Sequence, residues 1–164
     1  MAAIGCGGVN RLYIVEIGGT RSDSLFEVHI VHVIVAADAP AMIAACRAAF
    51  AHQLGAAHID GWVAIPVEPD DPAAPVAGET RSYLIEVGRN SAASLREEHD
   101  YRFIEAPDAR VAIAQLRAEL PGWHVDTVVD LDRLALERGW RLQRGQGAEG
   151  RREQVARYIR FDRI

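Results

Sequence analysis

The chain has 164 residues, of which 49% are hydrophobic and 25% are charged, and its formal net charge at pH 7 is −5. These values are typical of a soluble globular protein with one compact domain or two small ones. They exclude a membrane-spanning chain, because the most apolar stretch, 28–51, contains His29, His32, Asp38 and Arg47, which are costly in lipid.

Targeting signals, nucleic-acid binding and disulfides are all unexpected in this sequence. The first residues lack a basic start followed by a long apolar run, so we expect no secretory signal and a cytoplasmic location. Residues 132–164 contain nine arginines, but five acidic residues are interspersed among them, which is typical of a solvated surface. Of the two cysteines, Cys6 and Cys46, the second is expected to be a small buried residue of a helix.

Two strands are predicted near the start of the chain. Residues 12–17 are β-branched and aromatic and are followed by Gly18, which predicts a first strand that ends at this glycine. Residues 27–35 predict the second strand, which begins with Glu27 and contains His29.

A helix and a third strand follow. Asp38 stands where a helix N-cap is expected, with Pro40 in the first turn and apolar residues at helical spacing through 42–54. The third strand is predicted to begin near His58, two residues before Asp60.

The second half of the chain has the same order of predicted elements. A strand at 83–87 is followed by Gly88, and a second strand is predicted at 97–105. Asp108 then occupies the N-cap position of a helix, and a third strand is predicted to begin near His124.

These matches indicate an internal duplication. With an offset of 70, sixteen of the 40 positions from 11 to 50 are identical to those from 81 to 120. With an offset of 66, His58-Ile-Asp60 aligns with His124-Val-Asp126. Chance does not give this agreement in one register, so the repeat fixes the expected architecture.

The predicted fold class is α+β, with tandem β-β-α-β units that form mixed sheets, one helix per repeat and a pseudo-two-fold relation between the repeats. The expected boundaries are a first repeat at 11–65, a Pro-rich linker at 66–80, a second repeat at 81–144, and a flexible segment with a C-terminal strand at 145–164, the strand itself at 158–164.

Alternation of side chains along the second strand of each repeat predicts which face is buried. In the second repeat, Glu97 and His99 share the aromatic face, which is expected to face a helix or another sheet, whereas Asp100 and Arg102 are expected on the solvent side. Both faces of 27–35 are apolar, so the other repeat or a second subunit should cover them. Cover by a second subunit predicts a homodimer.

Eight polar side chains form the candidate binding site. An unpaired buried charge is expensive, so the Glu-x-His pair of each repeat is expected to meet a His-x-Asp pair near the boundary between the repeats. These residues are Glu27, His29, His58 and Asp60 in the first repeat, and Glu97, His99, His124 and Asp126 in the second.

Three roles are open for these residues. They suit a structural hydrogen-bond network, and they are also suitable donors for a divalent metal, zinc or manganese, with His29, His58, His99 and His124 as candidate ligands. A carboxylate beside an imidazole also suits acid–base catalysis. We expect a module that binds a small ligand or a protein, and the alternative is a small metal-dependent enzyme that uses the same residues.

The spaced motifs resemble a bacterial family of domains of unknown function, which have a Leu-Tyr-x-x-x-Leu-Gly-Gly opening, then Glu-x-His, then His-Ile-Asp, often in tandem copies. The matching residues are Leu12-Tyr13, Gly18-Gly19, Glu27-Val-His29 and His58-Ile-Asp60, then Tyr83, Gly88, Glu97-Glu-His99 and His124-Val-Asp126. The chain departs from the pattern at Arg89, where a second glycine is expected. The resemblance covers most of 11–164 and implies a fold and a site, but no reaction.

Overall fold

The computed structural model describes residues 9–71, 73, 78, 80–144 and 152–163. The elements of these residues are β1 (Arg11–Thr20), β2 (Val28–Ala36), α1 (Ala39–Phe50), β3 (Gly55–Pro69), β4 (Arg81–Arg89), β5 (Glu98–Ala106), α2 (Ala109–Glu119), β6 (His124–Asp130), α3 (Leu131–Leu136), β7 (Trp140–Leu142), β8 (Glu153–Arg160) and a 3-10 helix (Phe161–Arg163). The described residues divide into two compact units, the first comprising those up to Glu68 and from Leu142 onward and the second those from Pro69 to Arg141.

The sheet of the first unit is built around β1. Within this unit the strands lie in the order β2-β1-β3, and β8 also pairs with β3. The α1 crossover joins β2 to β3, which run in the same direction, but β1 lies between them and is antiparallel to both. The prediction of mixed sheets is therefore wrong, because the intervening strand makes the sheet antiparallel.

The second unit has a three-stranded antiparallel sheet in the order β5-β4-β6. It also contains α3, so the prediction of one helix per repeat is wrong for this unit. Asp130 caps α3 by accepting a hydrogen bond from the backbone N–H of Arg133 at 3.0 Å. The helix has only six residues, too few for a helical period to be recognised in the sequence.

Both predicted N-caps are confirmed. The Asp38 carboxylate accepts a hydrogen bond from the backbone N–H of Ala41 at 2.8 Å, and Pro40 lies in the first turn. The Asp108 carboxylate accepts one from Val111 at 2.9 Å. Such contacts satisfy N–H groups that a helix cannot pair internally, and they fix where α1 and α2 begin.

One face of each sheet packs against the helix of its unit. In the first unit, α1 covers the face of β1 that carries Tyr13, Val15 and Ile17, which are buried together with Met42, Cys46 and Phe50. In the second, α2 covers Tyr83, Ile85 and Val87, which are buried with Ala112 and Leu116. Because side chains alternate along a strand, Gly18 and Gly88 lie on the sheet faces turned away from the helices.

The polar side of β5 lies on the helix side of its sheet, contrary to prediction. Asp100 pairs with Val87 and Arg102 with Ile85, and both partners lie under α2. Consequently α2 does not cover Glu97 and His99. Because β5 is the edge of the three-stranded sheet, its charged side chains reach solvent past the helix, and Arg102 forms an ion pair with Asp100.

Several strand bounds differ from prediction. Gly18 and Gly88 lie inside β1 and β4 and do not end them, and the final strand covers Glu153–Arg160, with a 3-10 helix after it. β3 continues to Pro69, into the predicted linker. Part of the remaining linker lies outside the described residues. The predicted flexible stretch 145–152 lies almost wholly outside them as well.

Cys46 is fully buried in α1, as predicted, whereas Cys6 lies outside the described residues. Burial raises the pKa of the Cys46 thiol to about 11. The helices within the described residues are all too short or too polar to cross a membrane.

Candidate functional site

The first-unit cluster is centred on Gly18. In the sheet Gly18 pairs with His29 of β2 on one side and with His58 of β3 on the other, so the two imidazoles stand on the same face as the glycine. A Cβ added to Gly18 would lie 2.4 Å from His58 Nε2 and 2.5 Å from Glu27 Oε1. The absent side chain therefore leaves the space in which His58 and Glu27 meet.

A β-bulge places the fourth member of this cluster, Asp60. Glu16 pairs with Gly61 and Ile17 pairs with Ile59, so Asp60 is an extra residue with no partner in β1. Because of the bulge, the side chains of Asp60 and His58 lie on the same face of the sheet. After the bulge, the side chains of β3 again alternate between the two faces, so that the core residues still face the core. Asp60 thus faces the site without interrupting the packing against α1.

Three short contacts join the four side chains of the first unit. His58 Nε2 lies 2.7 Å from Glu27 Oε1 and 3.4 Å from Asp60 Oδ1, and His29 Nε2 lies 3.4 Å from Asp60 Oδ2. The expected meeting of the Glu-x-His and His-x-Asp pairs therefore occurs within this unit.

The orientation of His58 determines which ring nitrogen faces the carboxylates. Its Nδ1 lies 2.9 Å from the backbone carbonyl of Ala56, and because a carbonyl can only accept, Nδ1 carries a hydrogen. In the neutral tautomer with hydrogen on Nδ1, the Nε2 atom carries a lone pair that points toward Glu27 and Asp60. Ala56 has φ 50, a left-handed conformation that is costly for a residue with a Cβ.

Two carboxylate oxygens of the cluster lack hydrogen-bond donors among the described residues. Glu27 Oε1 and Asp60 Oδ2 are buried and accept no hydrogen bond. Buried acceptors without donors are costly, so these oxygens favour a cation as partner.

Strand β8 covers this cluster from one side. Arg160 pairs with His58 across the strands, and the ring of Tyr158 lies 4.5 Å from the imidazole of His58, centroid to centroid. As a result the His58 side chain is only 7% exposed.

The second-unit cluster is arranged in a similar way around Gly88. Gly88 pairs with His99 on β5 and with His124 on β6. A Cβ at Gly88 would lie 2.5 Å from Asp126 Oδ2 and 2.7 Å from His124 Nε2. Glu86 pairs with Thr127 and Val87 pairs with Val125, so Asp126, like Asp60, is the extra residue of a bulge.

Three donors of the second cluster form a compact group. His124 Nε2 lies 2.7 Å from Glu97 Oε1 and 3.2 Å from Asp126 Oδ1. Donor atoms of Glu97, His124 and Asp126 all lie within 4.8 Å of one another, close enough to bind one metal ion. His99 stands beside this group, with its Nε2 3.5 Å from Glu97 Oε2.

Sequence reasoning missed three site residues, one glutamate and two glycines. Glu86 lies 3.2 Å from His99 Nδ1 and was not among the candidates, although Glu16 and Glu86 are identical positions of the repeat. Gly18 and Gly88 were interpreted as strand ends. Their identity in both copies was a signal, since a glycine inside a strand often marks a close approach.

Comparisons with known proteins identify no family. No family model matches the chain, and no curated protein matches it. Among solved structures, it is similar to the crystal structure of a protein Il1583 from Idiomarina loihiensis, with 18% identity and a TM-score of 0.49 over 93% of this chain and 98% of that chain. The resemblance to a family of unknown function stays a prediction.

Proposed function

We propose that this chain is a divalent-metal-binding module, with one site in each unit. The first site consists of Glu27, His29, His58 and Asp60 and the second of Glu97, His124 and Asp126, with His99 beside it. Zinc and manganese are the metals that we favour, because mixed imidazole and carboxylate donors suit both.

One observation carries this proposal: the imidazole and carboxylate donors converge in each unit, with the donor atoms of Glu97, His124 and Asp126 within 4.8 Å of one another, and His58 Nε2 2.7 Å from Glu27 Oε1 and 3.4 Å from Asp60 Oδ1. Imidazole nitrogens and carboxylate oxygens that converge on one point are the donors that divalent zinc and manganese bind.

The spacing of the donors also supports a metal ion. Two donors bound at about 2.0–2.2 Å to one tetrahedral zinc ion lie about 3.3–3.6 Å apart. The two 3.4 Å contacts of Asp60 agree with this spacing, and the 3.2 Å contact of His124 with Asp126 is close to it. The 2.7 Å contacts of His58 with Glu27 and of His124 with Glu97 are shorter and must lengthen when an ion enters.

We further propose that the two units arose by internal duplication. The support is the sixteen identical positions together with the same placement of a glycine, two histidines and a bulged aspartate in each unit. A pseudo-two-fold relation between the units stays a prediction.

We also propose a cytoplasmic homodimer. Val31 lies on the face of β2 away from α1 and is 38% exposed, and Phe26 beside β2 is 62% exposed. Light scattering tests this: a dimer in the wild type and a monomer in V31E are expected, whereas a wild-type monomer at micromolar concentration contradicts the proposal.

Metal content of untagged protein tests the metal proposal. After loading with zinc or manganese and removal of free ion, we expect about one equivalent per site in the wild type. H58Q and H124Q should each lose one equivalent, and the double variant should lose both. H52Q is the matched control, because His52 is exposed and outside both clusters, and it should keep the wild-type content.

Two results would overturn the proposal. One is a wild-type metal content below about a tenth of an equivalent with either metal. A protein site with convergent donors should retain its ion after the free ion is removed. The other is a content that falls as much in H52Q as in H58Q and H124Q, which would place the metal on surface histidines.

A further inference from the structure

The two clusters differ mainly at one position. The His58 side chain is 7% exposed, whereas that of His124, which stands at the corresponding position of the repeat, is 48% exposed. The other corresponding pairs differ much less: Glu27 and Glu97 are 39% and 30% exposed, and Asp60 and Asp126 are 29% and 28% exposed. The opening of the second cluster is therefore on the side of His124.

The difference has a structural cause. β8 pairs with β3 in the first unit and places Tyr158 against the ring of His58. In the second unit, β6 pairs with β4, and the described residues provide no strand on its other edge. The space over His124 thus lacks the cover that β8 gives to His58.

The aspartate contacts both histidines in each unit. Asp60 lies 3.4 Å from His29 and 3.4 Å from His58, and Asp126 lies 3.6 Å from His99 and 3.2 Å from His124. In the second unit, His99 also turns its Nδ1 toward Glu86 Oε1 at 3.2 Å, so it stands beside the compact group of Glu97, His124 and Asp126 and orients the carboxylate of Asp126.

We infer that the second site binds its metal ion through Glu97, His124 and Asp126 and keeps an open coordination position, on the side of His124, that accepts a small oxygen-donor anion such as a carboxylate or hydroxamate. In the first site, β8 and Tyr158 cover His58 and exclude such a ligand. This inference rests on the proposed metal binding. Three protein donors and an exchangeable water are typical of metal sites that bind a substrate.

The chemistry of the ligand follows from the metal and its donors. A borderline-hard cation bound mainly by carboxylate oxygens holds a water molecule in the open position, and an anionic oxygen donor displaces that water more readily than a neutral ligand does. No covalent step is required for this exchange.

Cobalt(II) substitution tests the inference, because its visible absorption reports changes in coordination. In H58Q, which retains the second site, acetohydroxamate is expected to change the position and intensity of the cobalt band. In H124Q, which retains the first site, the band should stay unchanged. Acetamide, which lacks the anionic oxygen, is the matched control and should have no effect in either variant.

The outcomes separate this inference from the proposed function. Failure of cobalt, zinc and manganese to bind the wild type overturns the proposed function. Cobalt bound to H58Q with a band that acetohydroxamate does not alter overturns the inference alone, and so does an equal change in H124Q. Metal content measured after filtration shows that the ligand has not removed the ion.

A second pair of variants tests the role of the cover. Tyr158 is itself 61% exposed, so its truncation leaves the core intact. In the H124Q background, Y158A should give the first site a response to acetohydroxamate, and Y158F, which keeps the ring, should not. An identical lack of response in both would contradict the assignment of Tyr158 as the group that closes the first site.

Discussion

The imidazole of His58 occupies the space that a side chain at position 18 would need: a Cβ on Gly18 would lie 2.4 Å from His58 Nε2. The histidine can stand over the centre of the sheet only because the strand beside it has no side chain there. The proposed metal site of the first unit therefore depends on this glycine as much as on its proposed ligands.

The first prediction concerns this glycine. G18A should displace His58 and Glu27, lower the free energy of unfolding by about 1–3 kcal/mol through overpacking, and abolish metal binding at the first site. Urea denaturation and metal analysis measure the two effects. G78A is the control, because a Cβ there meets nothing within 4 Å. Wild-type metal content in G18A would contradict the prediction.

The second prediction concerns stabilisation by the metal. Zinc at about one hundred times its dissociation constant should raise the free energy of unfolding of each unit that binds it by about 2.7 kcal/mol. D60N and D126N should each remove the stabilisation of their own unit. D23N, which alters an exposed turn pair with Arg21, should leave it intact. Thermal unfolding with zinc or with chelator measures the effect, and equal shifts in all three variants would argue against specific sites.

The third prediction concerns pH and Asp130. Burial acts to raise the pKa of Asp130, but hydrogen bonds from Arg133 and Arg81 and the charge of Arg81 outweigh it and hold this pKa below its usual value. A lowered folded-state pKa gives stability that is fully present above the unfolded value of about 3.9 and is lost as the pH falls through the folded value.

D130N tests this linkage, because asparagine keeps the N-cap of α3 but removes the charge. The stability difference between wild type and D130N should be constant near neutral pH and should shrink as the pH falls below about 4. D130A should lose about 1 kcal/mol more, because it also removes the cap. An equal difference at acidic and neutral pH would contradict the assignment, and R81M combined with D130N isolates the contribution of the pair.

The fourth prediction concerns the buried thiol. Because burial raises the pKa of Cys46 to about 11 and the side chain is fully enclosed, the thiolate fraction at mildly alkaline pH is small. A C6S variant, in which Cys46 is the remaining cysteine, should not react with Ellman's reagent until denaturant is added. Rapid reaction of the folded protein would show that α1 opens readily.

Local features of the fold could be predicted from the sequence, and those that depend on strand pairing could not. Asp38 and Asp108 mark the helix starts because an N-cap involves residues three apart. The meeting of Glu27 with His58 was expected, since two strands joined by one helix can bring their polar pairs to one sheet.

The face of β5 was assigned wrongly because its charges were interpreted as a solvent-facing row, whereas they flank α2 at an edge of the sheet. The bulges at Asp60 and Asp126 likewise depend on which residues of β1 and β4 lie opposite, and no property of His-x-Asp reveals the extra residue. Glu86 became a site residue only once its register beside His99 was known.

The bulge at Asp60 has a consequence for how such a site can arise and disappear. Deletion of this one residue would remove the register shift between Glu16 and Ile17, with Ile59 and Gly61 still opposite their present partners in β1. The same deletion would remove a proposed metal ligand. A single insertion or deletion can therefore add or remove this carboxylate while the sheet of the unit is kept. A related protein could in this way lose the proposed site of one unit and retain its fold.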